Sequence, residues 1–175
     1  MRIVADLHIH SKYARAVSRD MVLEELDRWA DDKGITVMGT GDFTHPAWIK
    51  ELETKLEPAE QGLFKLRSKL QQKTMKGTIA QTRFMLTTEV SSIYSRGGRS
   101  RRVHNLIFAP DIATVTKINK ALSRVGNLKS DGRPIIGIDA EDLLKIVLES
   151  GPSTSLPTGQ AGSGSNGAVL VPAHI

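Results

Sequence analysis

Cysteine is missing from all 175 residues, which excludes disulfide bonds and thiolate metal sites. Any metal ion must therefore be held by histidine, aspartate and glutamate. The sequence also has no apolar run near the about 18 residues that a membrane-spanning helix needs, so no membrane partner is expected. Its 39% hydrophobic and 25% charged residues are typical of a globular domain. A cytoplasmic location is the corresponding expectation.

Acidic residues are scarce in the middle of the chain. Between Gly62 and His104 the single acid is Glu89, whereas ten residues are basic: Lys65, Arg67, Lys69, Lys73, Lys76, Arg83, Arg96, Arg99, Arg101 and Arg102. Such a one-sided charge attracts polyanions and favours DNA or RNA as a partner; the alternative is a solvated basic face with no partner. Aromatic residues are only 5% of the sequence, so a base-stacking platform is not indicated.

Strand and helix patterns alternate along the chain, which predicts an α/β fold with a mainly parallel sheet. Ile3–Leu7 reads as a buried strand, and Ser18 is expected to cap a helix that ends at Gly34. The further predicted features are a second strand at 35–38, a helix from Pro46, a loop over 57–82 with a short strand near Gly62–Leu66, a strand from Arg83 to Glu89, a hairpin at Gly97-Gly98 with its return strand, helices at 111–125 and from Asp139, and strands at 134–138 and 168–171. Residues 150–167 are rich in Gly, Ser and Pro and read as a flexible low-complexity insertion.

Histidines and carboxylates follow the predicted strands. His8 and His10 come directly after the first strand and, because side chains alternate along a strand, point the same way. The other candidates at or near strand ends are Asp42, His45, Glu89, His104 and His174. Active sites of such folds lie at the carboxyl ends of the strands, so we expect these side chains to converge. His45 has the alternative role of capping the helix that begins at Pro46.

This set of donors is too rich for one tetrahedral zinc ion. It suits two or three ions bridged by a carboxylate and a water or hydroxide that acts as the nucleophile. Glu89 is the natural bridge, since it follows a central strand, and Asp6 is a candidate to orient an imidazole from behind. Ser11, Lys12 and Arg15 are candidates for phosphate contacts, the alternative being an ordinary polar loop.

Together these motifs resemble the polymerase and histidinol phosphatase (PHP) family, and more narrowly its endonuclease Q branch. The residues that carry the resemblance are Asp6 to Ser18, Gly39 to Asp42, Leu86 to Tyr94, His104-Asn105 and Pro172 to Ile175. The resemblance extends over the whole chain except 150–167. It implies a distorted (β/α)7 barrel whose carboxyl face holds zinc, manganese or iron.

The resemblance also implies a function and a set of ligands. The function is metal-dependent phosphodiester hydrolysis, as a repair endonuclease cutting DNA near deaminated bases such as uracil or hypoxanthine. His8, His10 and a bridging Glu89 would ligate one ion, and Asp42, His104 and His174 the others, with Glu89 and Asp42 as the catalytic carboxylates. Arg96, Arg99, Arg101 and Arg102 are the DNA-binding candidates. The alternatives are a small-molecule phosphatase of the histidinol phosphatase type and an inactive DNA-binding fragment.

One departure from the family pattern concerns completeness. The family supplies a last Asp-x-His motif from a later strand, and the sequence ends at Ile175 without it. We therefore expect residues 1–175 to form a single, truncated PHP-like domain with an incomplete barrel. The missing C-terminal part of the same protein is then an expected partner, and weak or no activity is expected of the chain alone.

Overall fold

The structure, a computed structural model, describes residues 2–151 and 167–174, so most of the predicted insertion lies outside the described residues. Its elements, in chain order, are β1 Ala5–Asp6, α1 Leu23–Lys33, β2 Val37–Gly39, α2 Pro46–Lys55, β3 Leu56–Pro58, β4 Phe64–Leu66, a 3-10 turn Ser68–Leu70, β5 Arg83–Arg96, β6 Arg99–Ala109, α3 Ile112–Leu122, β7 Ile135–Ile136, α4 Ala140–Ser150 and β8 Val169–Ala173. None of the helices in these ranges is long and apolar enough to cross a membrane.

The strands form one curled, mixed sheet that resembles half of a barrel. Strand β5 lies at its centre and pairs in parallel with β2 and β7 but antiparallel with β4 and β6. The α/β class is thus confirmed, whereas the prediction of a mainly parallel sheet is wrong. The reason is local: Gly97 and Gly98, with φ of +60° and +71°, turn the chain straight back into β6 without a helical crossover.

Some of the residues predicted to begin or end helices do so in the structure, and one does not. Gly34 ends α1 in the left-handed conformation, with φ of +75°, and Asp139 caps α4 by accepting from Asp142 N, as predicted. The predicted cap Ser18 is wrong, because α1 begins at Leu23 after a residue that makes no side-chain cap. The Ser18 hydroxyl instead accepts a hydrogen bond from the backbone N–H of Asp20, which closes a turn before the helix.

The hydrophobic core lies between the helices and one face of the sheet. On that face Phe84, Leu86 and Ile107 are fully buried, against Trp48 of α2 and Val115 of α3. The other, concave face is covered much less among the described residues: Val169 and Val171 of β8 are 52% and 42% exposed. The sheet therefore has one well-packed side, and the candidate site lies at the rim of the other.

The first strand is shorter and more exposed than its sequence predicted. The pattern Ile3–Leu7 predicted a buried strand, but β1 is two residues long and exposed, and Ile3 is 54% exposed. It pairs with β2 on one side, and no described strand pairs with its other side. An edge strand without a neighbour or a covering layer stays exposed even when its sequence is apolar.

Candidate metal centre

Two glycines position the loop that carries His8 and His10. A Cβ atom on Gly39 would lie 2.8 Å from the Leu7 carbonyl oxygen, and one on Gly41 would lie 2.5 Å from the Ile9 carbonyl oxygen. The loop after β1 therefore packs directly on the backbone after β2, which no larger residue permits. This explains physically why glycine stands at both positions.

Glu89 is the centre of the cluster. It lies in β5 and is 1% exposed, and its two carboxylate oxygens have different neighbours. Oε2 lies 3.2 Å from His8 Nε2 and 3.0 Å from His10 Nε2. Oε1 is hydrogen-bonded to His104 Nδ1 and lies 3.8 Å from His174 Nε2. One buried carboxylate thus belongs to two three-residue groups, His8–His10–Glu89 and Glu89–His104–His174, whose donor atoms can each converge on a cation.

The last two histidines come from neighbouring antiparallel strands. His104 lies within β6, not at a strand end, and is paired with Ala173 of β8. Its Nε2 lies 3.2 Å from the Ser91 hydroxyl oxygen on the adjacent strand β5. His174 follows β8 in the left-handed conformation, with φ of +56°, and its ring centroid lies 5.1 Å from that of His8. The cluster therefore brings together residues from near the beginning and the end of the described chain.

Asp42 supports His10 from behind. Its Oδ1 lies 2.9 Å from His10 Nδ1, while Oδ2 accepts from the backbone N–H and the hydroxyl of Ser11 at 2.6 and 2.7 Å. Asp42 is fully buried with φ of +51°, and Gly132 packs so closely on its carboxylate that a Cβ would overlap it. With Nδ1–H donated to Asp42, His10 presents Nε2 to Glu89, where this nitrogen can bind a cation in place of a proton.

The charges in the cluster depend on one another. The hydrogen bond to Asp42, followed by the one to Glu89, raises the pKa of His10 to about 9. Burial alone would raise the pKa of Glu89, but hydrogen bonds from His10, His104 and His8 outweigh it and hold that pKa far below its usual range. Without a cation, the site thus consists of a buried carboxylate neutralised by imidazolium. A cation would replace that proton.

Several predicted site residues lie outside the cluster. Asp6 is on the exposed strand β1, and no hydrogen bond joins it to an imidazole in the described part of the chain. Asp42 occupies the supporting position that the sequence suggested for Asp6. His45 caps α2: its Nδ1 accepts from Ala47 N at 3.3 Å, which is the alternative considered for it, and burial lowers its pKa.

The three predicted phosphate contacts have protein partners. The Ser11 hydroxyl donates to Asp42, and Lys12 Nζ lies 2.7 Å from Glu51 Oε1. The side chain of Arg15 is 80% exposed and lies 3.5 Å from Asp131 Oδ2. Of these, Arg15 has the side chain with most freedom to reach a ligand.

The four candidate DNA-binding arginines lie on the β5–β6 hairpin and are exposed. By strand alternation and register, Arg102 shares its face with His104, while the other three lie on the opposite face together with Tyr94: Arg96, Arg99 and Arg101.

Arg133 and Ser91 also belong to the cluster, although the sequence did not predict them as site residues. Arg133 Nη1 lies 3.6 Å from Glu89 Oε2, and Ser91 contacts His104. Arg133 sits in a loop with no recognisable motif, so nothing in its local sequence indicates its position. Ser91, two residues after Glu89 on β5, shares the face of that carboxylate by strand alternation. That spacing was the only signal available.

Comparisons with known proteins give a sequence relative and two similar solved structures. No family model matches the chain. An uncharacterized protein of Methanocaldococcus jannaschii is 30% identical over 147 residues, which are 83% of this chain and 15% of that protein. The structure of a lesion-specific endonuclease Q from Pyrococcus furiosus is similar with a TM-score of 0.68 and 30% identity, covering 85% of this chain and 32% of the other.

A second solved structure is endonuclease Q in complex with a 27-mer duplex substrate that has an abasic lesion at the active site. It is similar with a TM-score of 0.67 and 31% identity, over 83% of this chain and 32% of the other. The chain thus spans a minor part of the length of each relative. Within that part, sequence and structure support an endonuclease Q-like relationship.

Proposed function

We propose that this chain provides the cation-binding part of a metal-dependent endonuclease that cuts DNA at damaged sites. The observation that carries the proposal is the sharing of Glu89 between two three-residue donor groups. Burying a charged carboxylate costs free energy unless positive charge lies next to it. Bound cations supply that charge here, or protons on the imidazoles do when no cation is bound. The similarity to a lesion-specific endonuclease supports DNA as the substrate.

The donor set fits divalent ions that accept nitrogen and oxygen ligands, which include zinc, manganese and iron. His8, His10 and Glu89 would hold one ion, Glu89, His104 and His174 a second, and Asp42 is the remaining candidate if a third is bound. Such ions, when bound, lower the pKa of a coordinated water and neutralise phosphate oxygens. The chain's own contribution is to fix the donors: Glu89 places two groups side by side, and Asp42 sets the tautomer of His10.

The proposed substrate is duplex DNA with a damaged nucleotide. Deaminated bases such as uracil and hypoxanthine are proposed from the family resemblance, and an abasic nucleotide from the substrate bound by the similar endonuclease Q. The arginine-bearing β5–β6 hairpin starts at the cluster, since Glu89 and His104 lie on the same two strands. A DNA backbone that contacted Arg102, which shares the face of His104, would therefore lead towards the cations.

We also propose that further polypeptide of the same protein completes the domain. Strands β1 and β8 each pair on one side among the described residues, and exposed apolar side chains lie on β8 and directly before β1, at Ile3 and Val4. A segment that covered these edges would close the barrel and finish the metal site. On this proposal, the chain alone is weakly active or inactive. A cytoplasmic location is proposed as well.

The test begins with cation binding, which does not require full activity. The metal-stripped protein is titrated with Mn²⁺ and Zn²⁺, and the bound ions are counted for the wild type, Glu89→Gln, and a control at an exposed glutamate of α2, Glu53→Gln. We expect at least two ions per chain in the wild type and control, and a loss of both sites in Glu89→Gln. A wild type that binds fewer than two ions, or a Glu89→Gln variant that keeps both, would contradict the two-group site.

The second step separates the candidate functions. Duplexes with uracil, hypoxanthine or an abasic site and a simple phosphomonoester are incubated with the reconstituted protein, with and without chelator. Chelator-sensitive nicking, however slow, supports the endonuclease. Hydrolysis of the phosphomonoester alone supports a small-molecule phosphatase, and salt-sensitive DNA binding that persists in His8→Ala without cleavage supports a non-catalytic DNA-binding fragment.

A further inference from the structure

Arg133 is a permanent cation among residues that are proposed to hold metal cations. Its Nη1 lies 3.6 Å from Glu89 Oε2, the oxygen that is also 3.2 Å from His8 Nε2 and 3.0 Å from His10 Nε2. A metal ion bound by His8, His10 and Glu89 would use this same oxygen. The guanidinium and the ion would then repel each other at short range in a partly buried site, where screening is weak.

The backbone beneath Arg133 is fixed, whereas its side chain is 42% exposed. Gly132 N donates to the Tyr13 carbonyl at 3.1 Å, and Ser91 N donates to the Pro134 carbonyl at 2.9 Å. The Thr44 hydroxyl donates to the Gly132 carbonyl at 3.3 Å. This segment is therefore tied to three parts of the chain that flank the site. The guanidinium can turn away from Glu89 while its anchor remains at the rim.

The neighbouring acid does not neutralise Arg133. Asp131 Oδ2 lies 3.5 Å from Arg15 Nε. Asp131 Oδ1 accepts hydrogen bonds from the backbone N–H groups of Arg15 and Arg133. The acid that Arg133 contacts in the described part of the chain is Glu89. Once cations occupy Glu89, Arg133 has a free positive charge at the rim of the site. A guanidinium presents a planar fork of N–H donors that matches two oxygens of a phosphate.

We propose that Arg133 binds the phosphodiester of the substrate at the metal site, and that cation binding releases it from Glu89 for this role. The inference rests on the proposed function and adds an order to it: cations bind first, and DNA then binds more tightly through Arg133. The competing explanation is a purely structural one, in which the guanidinium holds Glu89 in place for the histidines.

The two explanations predict different effects of an Arg133 substitution on cation affinity. In Arg133→Met, the loss of a competing positive charge leaves Mn²⁺ affinity unchanged or higher if Arg133 serves the substrate. If Arg133 holds Glu89 in place, the same variant binds Mn²⁺ more weakly. Calorimetric titration of the metal-stripped protein with Mn²⁺ measures this without any need for turnover.

DNA affinity is the second readout, measured by fluorescence anisotropy on a labelled duplex with one abasic site. With saturating Mn²⁺ we expect Arg133→Met to bind this duplex about tenfold more weakly than the wild type, since a charge-assisted hydrogen bond is lost. Without Mn²⁺ the two proteins should bind alike, because Arg133 is then engaged with Glu89. Arg133→Lys, which keeps the charge but not the fork, should fall between them.

Arg124→Met is the matched control, since it removes one exposed arginine that lies just after α3. It should leave Mn²⁺ affinity and the response of DNA binding to Mn²⁺ unchanged. An Arg133→Met protein that binds Mn²⁺ more weakly, or binds the duplex in Mn²⁺ as tightly as the wild type, overturns the inference alone. A wild type that binds neither Mn²⁺ nor DNA overturns the proposed function as well, so the two failures are distinguishable.

Discussion

At the scale of single residues, the cluster depends on positions that touch no ligand. Gly41 has φ of +61° and lies against the Ile9 carbonyl, whereas Gly62 has φ of +74° with no heavy atom within 4 Å of a built Cβ. The two glycines have nearly the same backbone conformation, which would strain any residue with a Cβ, and they differ in the space around them. They therefore separate the cost of the left-handed conformation from the cost of moving the loop that carries His8 and His10.

We predict that Gly41→Ala lowers the free energy of unfolding by about 2–4 kcal/mol, because strain and steric overlap add. Gly62→Ala should cost only about 1 kcal/mol, from the backbone conformation alone. Denaturant unfolding of both variants measures the difference. Gly41→Ala should also weaken Mn²⁺ binding, whereas Gly62→Ala should not. Equal losses of stability in the two variants would contradict the close packing described for Gly41.

Asp27 shows a different residue-scale effect, remote from the cluster. It is 1% exposed, neither carboxylate oxygen has a hydrogen-bond partner among the described residues, and burial raises its pKa from 3.8 to about 6. A folded-state pKa above the unfolded one favours the protonated form. The resulting stabilisation is present below about pH 4 and is lost as the pH rises through about 6.

Asp27→Asn should therefore stabilise the protein relative to the wild type increasingly as the pH rises from 4 to 8, by about 1–3 kcal/mol over that interval. Urea unfolding at several pH values measures the trend. Asp20→Asn, at an exposed carboxylate before α1, is the control and should parallel the wild type. A constant difference between Asp27→Asn and the wild type at all pH values would show that burial leaves the pKa of Asp27 unchanged.

At the scale of elements, the β5–β6 hairpin carries an arrangement that is unfavourable in isolation. Arg96 and Arg99 are directly paired across the strands, and Arg101 follows on the same face. Like charges opposite one another destabilise a hairpin, and a bound polyanion removes that cost. A two-stranded ribbon also has dimensions that fit the major groove of B-DNA. The hairpin is therefore favoured as a DNA-binding element, with these three arginines on the face opposite His104.

Replacing Arg96, Arg99 and Arg101 together by serine should weaken DNA binding and lower the slope of log K against log salt by about 2–3. The control is the triple replacement of Lys117, Lys120 and Arg124 by serine, on or just after α3, which removes the same charge from another face. That variant should change the slope by less than about 1. Equal effects of the two sets would indicate attraction by net charge alone. Slopes come from anisotropy titrations at several salt concentrations.

The elements also show what sequence can and cannot predict. Helices bounded by Gly34, Pro46 and Asp139 were predicted because their end signals are local. The convergence of His8, His10, Glu89, His104 and His174 was predicted from their distance to strands, although His104 lies inside β6. The missed features depend on contacts distant in sequence. Strand β3 exists through pairing with β4, and Arg133 reaches Glu89 from a loop without a motif.

At the scale of the whole molecule, the described residues pack closely on one face of the sheet and leave much of the other face exposed. By strand alternation, Val169 and Val171 face the concave side opposite Phe108 and Leu106. The Pro172 nitrogen has no hydrogen to donate, which blunts part of the β8 edge, but the apolar side chains remain exposed. An apolar surface of this kind favours association with other polypeptide. The proposed completing segment would bury it.

In the absence of that segment, we predict that the chain associates with itself as its concentration rises. Val169→Lys with Val171→Lys should suppress this association while lowering the free energy of unfolding by less than about 1 kcal/mol, because both side chains are already about half exposed. Met75→Lys, at a side chain that is 76% exposed outside the sheet, is the control and should leave association unchanged. Sedimentation velocity over a range of concentrations measures it. A wild type that stays monomeric at high concentration would show that the concave face does not drive self-association. It would also contradict the proposal that this face binds a further segment of the protein.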